Sequence, residues 1–359
     1  MNNINRIAKN TTPLCYLPSG DILCYQYGNV LVFHNENIVR RIPIIRSFAE
    51  RFLGRSRYLF RLLRLGVRAA YAIDENNVVL SIGDYLYELD LVTNKLSSGF
   101  ICKEHTRPLI FTKVENISTV ESGLYFGEYL GNRKKNPVSI YKRESKDKWC
   151  IVYTFPKGAI NHIHNIVCDP YRDCLWIFTG DFDEAAAIWK ITDNFQKVEC
   201  LVRNNQRYRG CVAFALPECV LYATDAPYAD NFVYSLDPQT MEMTEVISIA
   251  GSCIYGCRWQ NRYVFSSTVE GDGRNVSLWE LLCGRTKGAG IKDWYTHLYI
   301  GNLHEGFKDI YREEKDIMPF YTFQFGTFKF PYGINNTEVL YFQPIATCKN
   351  DLSLLKFTI

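Results

Sequence analysis

A chain of 359 residues with 47% hydrophobic residues and a net charge of +3 is long enough to bury a sizeable core. Aromatic residues make up 14% of it, and frequent β-branched runs favour strands. No apolar leader follows the polar start and no run approaches the roughly 18 apolar residues of a membrane helix, so we expect a cytoplasmic protein without transmembrane segments. The 13 cysteines form no CxxC pair, which argues against a disulfide framework or a zinc ribbon.

A four-strand unit recurs along the chain. The third predicted strand of each unit has an aromatic residue. From one unit to the next, these aromatic residues lie 54, 48, 45 and 45 positions apart. This spacing is typical of the blades of a β-propeller. The aromatic residues are Tyr87, Tyr141, Trp189, Tyr234 and Trp279.

The repeat predicts an all-β chain with one domain over residues 1–359. We expect a single β-propeller of seven four-stranded antiparallel blades, with six or eight as alternatives because the first and last units match the repeat least. The last unit is predicted to close the ring with an N-terminal strand at 13–17. The predicted blades span residues 14–44, 65–98, 107–155, 160–203, 207–249, 252–304 and 319–359.

Two insertions interrupt the repeat. Residues 45–65 carry apolar side chains at helical spacing with arginines between them, which predicts a short Arg-rich helix. Residues 284–316 are rich in glycine and charge and predict a long loop. The helix is either a structural flap or a peripheral contact with anionic lipid at the inner membrane face. Its lipid-facing arginines would be Arg46, Arg51, Arg55, Arg57, Arg61 and Arg64.

The stretch 160–183 predicts an antiparallel hairpin that carries two imidazoles and a carboxylate. Alternation places His162 and His164 on one face of its first strand, and Asp181 follows its second strand. Three roles are open for the two histidines. They are packed core residues, or they bind a divalent metal with Asp181 or Glu128 as third ligand, or one is a general base and the other holds the substrate. Gln206 is a further candidate ligand. No other cofactor is indicated.

Polar residues also recur on the strands predicted to line the channel. Arg68, Arg107 and Arg209 begin three of them, Tyr208 precedes the last arginine, and Tyr255 lies on another. If these side chains face the axis, they require an anionic partner, because guanidinium groups match carboxylate or phosphate. Acidic residues end the neighbouring second strands, where they either cap turns or act in the pocket. These acids are Glu128, Asp181, Asp225 and Glu270.

The segment from Tyr141 to Trp149 is similar to an Asp-box turn, with Ser145, Asp147 and Trp149 at its marked positions. With the HIH strand and the TGD strand end, the chain resembles the sialidase-like (Asp-box, BNR-type) β-propeller proteins of bacterial surface-glycan gene sets. The resemblance covers residues 107–270.

This resemblance implies a carbohydrate ligand, often an acidic sugar gripped by an arginine triad. Arg68, Arg107 and Arg209 would form the triad, with Tyr255 and Glu270 as the nucleophile pair and Asp181 as acid/base. Polysaccharide lyases on seven-bladed propellers are also similar, since they use histidine as base and arginine or metal to neutralise a uronate. The resemblance thus implies a glycoside hydrolase or a polysaccharide lyase.

The alternative is a non-catalytic scaffold or binding module for a glycan-assembly complex. Nucleic acid is not expected, because no recognisable module interleaves aromatic residues with the arginine-rich segment 40–68.

Overall fold

The computed structural model describes residues 4–45, 47–102, 106–274, 276–335 and 337–358. Seven antiparallel sheets form a ring, and the chain is a seven-bladed β-propeller, as predicted. Each blade runs from an innermost strand at the central channel to an outer edge strand, and the innermost strands of neighbouring blades contact one another.

The first three blades and the strand that precedes them occupy residues 4–155. Their strands are β1 (Ile4–Ala8), β2 (Thr12–Tyr16), β3 (Ile22–Gln26), β4 (Asn29–His34), β5 (Asn37–Pro43), β6 (Val67–Ala72), β7 (Asn77–Ile82), β8 (Tyr85–Asp90), β9 (Lys95–Leu96), β10 (Phe100–Ile101), β11 (Arg107–Pro108), β12 (Thr112–Val114), β13 (Gly123–Tyr129), β14 (Val138–Ser145) and β15 (Lys148–Phe155).

Blades 4 to 7 follow in order. Their strands are β16 (His162–Asp169), β17 (Cys174–Gly180), β18 (Ala187–Thr192), β19 (Lys197–Arg203), β20 (Gly210–Ala215), β21 (Val220–Thr224), β22 (Asn231–Leu236), β23 (Met243–Ile249), β24 (Cys253–Trp259), β25 (Arg262–Ser267), β26 (Tyr295–Asn302), β27 (Gly306–Glu314), β28 (Thr327–Lys329), β29 (Val339–Ile345) and β30 (Leu354–Thr358).

Short helices lie in the connections between strands. The α-helices are α1 (Phe48–Leu53), α2 (Arg57–Leu62), α3 (Leu278–Cys283) and α4 (Phe320–Phe323), and the 3-10 turns are Asp183–Ala185, Asp193–Phe195 and Gln206–Tyr208. None of these helices in the described chain has the length and apolar content needed to cross a membrane.

Inner strands are buried on both faces because each sheet is covered by the blades on either side. Strand β17 is buried along its whole length, which explains its continuous apolar run in place of an alternating one. Between blades 4 and 5, for example, Trp176 and Phe178 pack with Tyr222 in one hydrophobic cluster. The core is therefore a series of wedges between blades, arranged around the channel.

The ring closes through β1, which pairs with β30 as the outer strand of blade 7. The prediction that the closing strand lies at 13–17 is wrong, since β2 at that position is the innermost strand of blade 1. Burial explains the difference. Every residue of β2 is buried, whereas β1 is partly exposed along its length, as expected for an edge strand.

Blade 6 differs from the predicted repeat. The run around Trp279, predicted as its third strand, forms α3 instead, and the third strand is β26. Ser277 accepts a hydrogen bond from Glu280 N at 3.1 Å, so a Ser-x-x-Glu helix start overrides the strand-like composition. The prediction of a long loop at 284–316 is also wrong, because this range contains β26 and β27.

The insertion at 45–65 is helical as predicted, but it forms two helices, each capped by a serine. Arg61 is buried, and its guanidinium pairs with Asp316 and, at 2.9 Å, with Asp351. Arg61 is thus a packing residue and not a surface arginine. Arg46 lies outside the described residues.

Antiparallel connectivity places all four helices on one face of the ring. Connections between blades and connections from second to third strands emerge on the same face, and every helix lies in one of them. That face also holds the starts of the innermost strands and the ends of the second strands. We call it the helical face.

Removing residues 1–8 should destabilise the ring, because it deletes β1, exposes the edge of β30 and removes the packing of Ile4. We expect the free energy of unfolding to fall by about 2–4 kcal/mol in urea titrations. Removing residues 1–3 is the control, because it leaves β1 in place. Equal stability of the two truncated chains would contradict this closure.

Candidate functional site

Two imidazoles meet at the start of β16. His162 and His164 are both buried, and their Nε2 atoms lie 2.8 Å apart. His162 Nδ1 donates to the Leu130 carbonyl at 2.6 Å, which assigns its proton to Nδ1 because a carbonyl only accepts. His164 Nδ1 has no hydrogen-bond partner among the described residues. Burial lowers the pKa of His164, which favours its neutral form.

Asp181 completes this group from the end of β17. Its Oδ1 lies 3.3 Å from His162 Nε2 and 3.6 Å from His164 Nε2. Partial burial would raise the pKa of Asp181, but His162 and Arg209 hold it well below its usual range. The predicted hairpin thus brings its two histidines and its carboxylate together.

Arg209 links this group to blade 5. It contacts Asp181 Oδ1 at 3.1 Å and Asp225 Oδ2 at 3.0 Å, and it donates to the Asp181 carbonyl at 2.8 Å. Burial would lower the pKa of Arg209, but the carboxylates of Asp225 and Asp181 raise it above its ordinary value. Two carboxylates therefore already hold the guanidinium predicted to grip a substrate.

β-Bulges near the starts of the innermost strands shape the group. Pairing shifts between Ile163 and Asn165 in β16 and between Gly210 and Val212 in β20. The bulged residues are therefore His164 and Cys211. Since a bulge redirects a side chain, it sets where these two residues point.

A cavity of about 620 Å³ opens at the channel next to this group. Arg64, Arg68, Arg107 and Lys329 line it, and no Asp or Glu of the described chain does. Tyr129 separates the cavity from the histidines, with its ring centroid 4.3 Å from that of His162. The cavity is thus basic.

Within the described part of the chain, the basic side chains of the cavity have few counter-charges. Arg107 pairs with Asp84 at 3.3 Å, and the Arg68 guanidinium lies 5.3 Å from the Tyr129 ring centroid. Lys329 is buried and donates to the Arg68 carbonyl at 2.8 Å. Burial, followed by repulsion from Arg68, lowers the pKa of Lys329 to about 7.

The other predicted site residues are dispersed. Tyr255 lines the cavity. Tyr208 packs against the cluster between blades 4 and 5. Glu128 is buried within blade 3, where it accepts from Thr106 Oγ1 and Ser139 N. These contacts place Tyr208 and Glu128 in packed parts of the blades, away from the cavity.

Glu270 is buried, with its pKa raised to about 8 by burial and by the negative charge of Asp225. It is therefore mostly protonated at neutral pH.

Sequence reasoning missed Arg64, Tyr129 and Lys329 as cavity residues. Lys329 could have been found, because it lies on the innermost strand of the last unit. Polar residues on the innermost strands of other units were already recognised as candidates. Arg64 had none, because the position of a helical insertion over the channel depends on tertiary packing.

No protein-family model and no curated protein sequence matches the chain. Solved structures do match its fold. A chain in a crystal structure of the mitotic checkpoint complex is 8% identical, with a TM-score of 0.56 over 99% of this chain and 93% of that one. The AfRom2 CNH domain is 7% identical, with a TM-score of 0.54 over 99% of both chains. At these identities the similarity shows the fold alone.

The comparisons bear on the resemblance stated above. The propeller that it implied is confirmed. The sialidase-like chemistry and the glycan stay predictions.

Replacing Glu270 by Gln should change the pH dependence of stability. Between pH 4.5 and about 8 the folded chain retains a proton on Glu270 that the unfolded chain releases, so this group makes stability fall as pH rises. The Tm of Glu270→Gln, relative to that of the native chain, should therefore rise by about 2 °C or more between pH 5 and pH 8. Thermal unfolding followed by tryptophan fluorescence measures this difference.

The exposed Glu242 provides the control, and Glu242→Gln should track the native chain at both pH values. A Glu270→Gln chain that loses stability relative to the native chain between pH 5 and pH 8 would show that the carboxyl is ionised.

Proposed function

We propose that the cavity on the helical face binds an anionic ligand, and that this ligand is an acidic glycan. The observation that carries the proposal is the composition of the cavity wall, with four basic side chains and no carboxylate among the described residues. Grouped cations in a partly desolvated cavity are stabilised by an anion that accepts their hydrogen bonds. Tyr129 and Tyr255 add aromatic surface, which suits a sugar ring.

Several contacts favour a binding module over a hydrolase or lyase. His162 and His164 are buried behind Tyr129 and do not line the cavity. Arg209 is held by two carboxylates. A general base must reach the proton that it abstracts, and the histidines have no such access from the cavity. The proposed role is therefore recognition of an acidic glycan in surface-polysaccharide metabolism.

Lys329 makes this binding pH-dependent. Its pKa of about 7 in the free protein would rise when an anion enters, because a nearby negative charge favours the ammonium form. Binding then takes up a proton. Affinity should increase as pH falls through 7.

The test compares trigalacturonate and trimeric sialic acid with their methyl esters, which keep the sugar and lose the charge. The native chain should bind an acid form at least about 10-fold more tightly than its ester in calorimetry. Arg68→Gln should weaken acid binding about 10-fold, since a charge-assisted contact is lost. Lys329→Met should remove most of the pH dependence between pH 6 and pH 8.

Arg258→Gln is the matched control, because Arg258 is exposed at the far end of an innermost strand. It should bind like the native chain. Equal affinity for the acids and their esters, or equal losses in Arg68→Gln and Arg258→Gln, would refute the proposal.

We also propose that the helical face contacts an anionic membrane surface. Large apolar side chains are exposed there, including Phe48 (83%), Phe52 (62%) and Trp279 (75%). Arg51 and Arg55 are exposed beside the two phenylalanines. Apolar side chains with neighbouring cations suit the interface of an anionic bilayer, where each basic residue contributes about 1 kcal/mol.

Sedimentation with vesicles tests this contact. The native chain should sediment with phosphatidylcholine vesicles containing 30% phosphatidylglycerol, less so at high salt, and not with phosphatidylcholine alone. A chain with Phe48→Ser, Phe52→Ser and Trp279→Ser should bind at least about 10-fold less, because it buries less apolar area.

Val92 and Tyr171 are also exposed, but they lie in turns on the opposite face. The chain with Val92→Ser and Tyr171→Ser should therefore bind like the native one. Binding that survives the helical-face changes, or that ignores anionic lipid, would contradict this proposal.

A further inference from the structure

We propose that His162, His164 and Asp181 bind one divalent transition-metal ion, with Zn²⁺ as the best match. One ring nitrogen from each histidine and a carboxylate oxygen of Asp181 lie within 4.8 Å of one another. Imidazole nitrogen with carboxylate oxygen is a donor set that suits zinc. The proposal is independent of the anionic ligand.

The spacing of the donor atoms fits an ion. Zinc bonds of about 2.0–2.1 Å in a tetrahedral arrangement place ligand atoms about 3.3 Å apart. The observed separations between the two Nε2 atoms and Asp181 Oδ1 are 2.8, 3.3 and 3.6 Å. Each separation is within about 0.5 Å of the value expected for a tetrahedral zinc site.

The hydrogen bonds of the two histidines are compatible with a metal ion. His162 Nδ1 donates to the Leu130 carbonyl, so Nε2 is the nitrogen that can bind the ion. The buried Nδ1 of His164 has no hydrogen-bond partner among the described residues, which costs free energy. An ion bound to both Nε2 atoms leaves each Nδ1 to carry a proton, as metal-binding histidines do.

The surrounding groups match a metal centre as well. Metal-binding histidines donate their second N–H to a carbonyl or a carboxylate. His162 has the Leu130 carbonyl. For His164, a carboxylate oxygen of Asp225 lies within 4.8 Å of a ring nitrogen, and Asp225 Oδ1 is buried with no hydrogen-bond partner among the described residues. His162 thus has its acceptor in place, and His164 has a carboxylate nearby.

A second set of donors overlaps this one. His164, Cys211 and Asp225 also lie within 4.8 Å of one another. The Cys211 thiol donates to Asp225 Oδ2 at 3.4 Å. Cys211 is therefore a satisfied donor, and the geometry favours the set with Asp181. Three protein ligands leave one tetrahedral position for water or a ligand oxygen.

The experiment measures Zn²⁺ bound to the full chain after incubation with excess ZnCl₂ and dialysis. The native chain should retain about one ion, and Co²⁺ in its place should give the visible absorption of a tetrahedral site. His162→Gln and Asp181→Asn should each weaken Zn²⁺ binding at least about 100-fold. Zn²⁺ should raise the Tm of the native chain but not of these variants.

Two controls make the result specific. His297→Gln changes a histidine that is buried between Asp293 and Asp309 in blade 6, and it should retain the ion. Cys211→Ala should retain it too. Variants that do not fold are detected by circular dichroism and replaced by His162→Asn and Asp181→Ser.

Three results would overturn the proposal. They are a native chain that holds no Zn²⁺ after dialysis, loss of Zn²⁺ in Cys211→Ala with retention in His162→Gln, and full retention in folded chains of both His162→Gln and Asp181→Asn.

Discussion

The organisation of the channel mouth depends on one buried guanidinium. Arg209 lies between the carboxylates of Asp181 and Asp225, and so connects the second strands of blades 4 and 5. A buried charge is tolerated only with such compensation. With Asp181 held in this way, its Oδ1 faces the two imidazoles, and a carboxylate oxygen of Asp225 lies within 4.8 Å of a His164 ring nitrogen. The histidine group and the blade interface are thus one network of contacts.

Charge is divided across the mouth. Acidic groups lie on the side of blades 4 to 6, where Asp181, Asp225 and Glu270 accompany the histidines and Arg209. The basic side is formed by blades 2, 3 and 7 with α2, and it carries the arginines and Lys329 of the cavity. This separation is the basis of the two proposed sites, one for an anion and one for a cation. Tyr129 lies between the two, in contact with His162 and with Arg68.

The helices contribute through their position more than through their own stability. Each has at most six residues, too few to be stable alone. Buried Arg61 anchors α2 to the segment around α4 through Asp316 and the Phe323 carbonyl. This contact holds Phe60 and Arg64 at the cavity wall. Insertions between the blades therefore contribute to the cavity wall alongside the strands.

The sequence by itself determined the propeller, its seven blades and the pairing of His162 and His164 with Asp181 in one hairpin, because each depends on local periodicity and on contacts between neighbouring strands. It did not determine the closing strand, which pairs residues more than 340 positions apart, or the helix at 278–283, where a serine cap outweighs a strand-like composition. It also did not determine the bulges that redirect His164 and Cys211 or the partners of Arg209. Those depend on how the wedges between blades pack, and only the tertiary structure sets that packing.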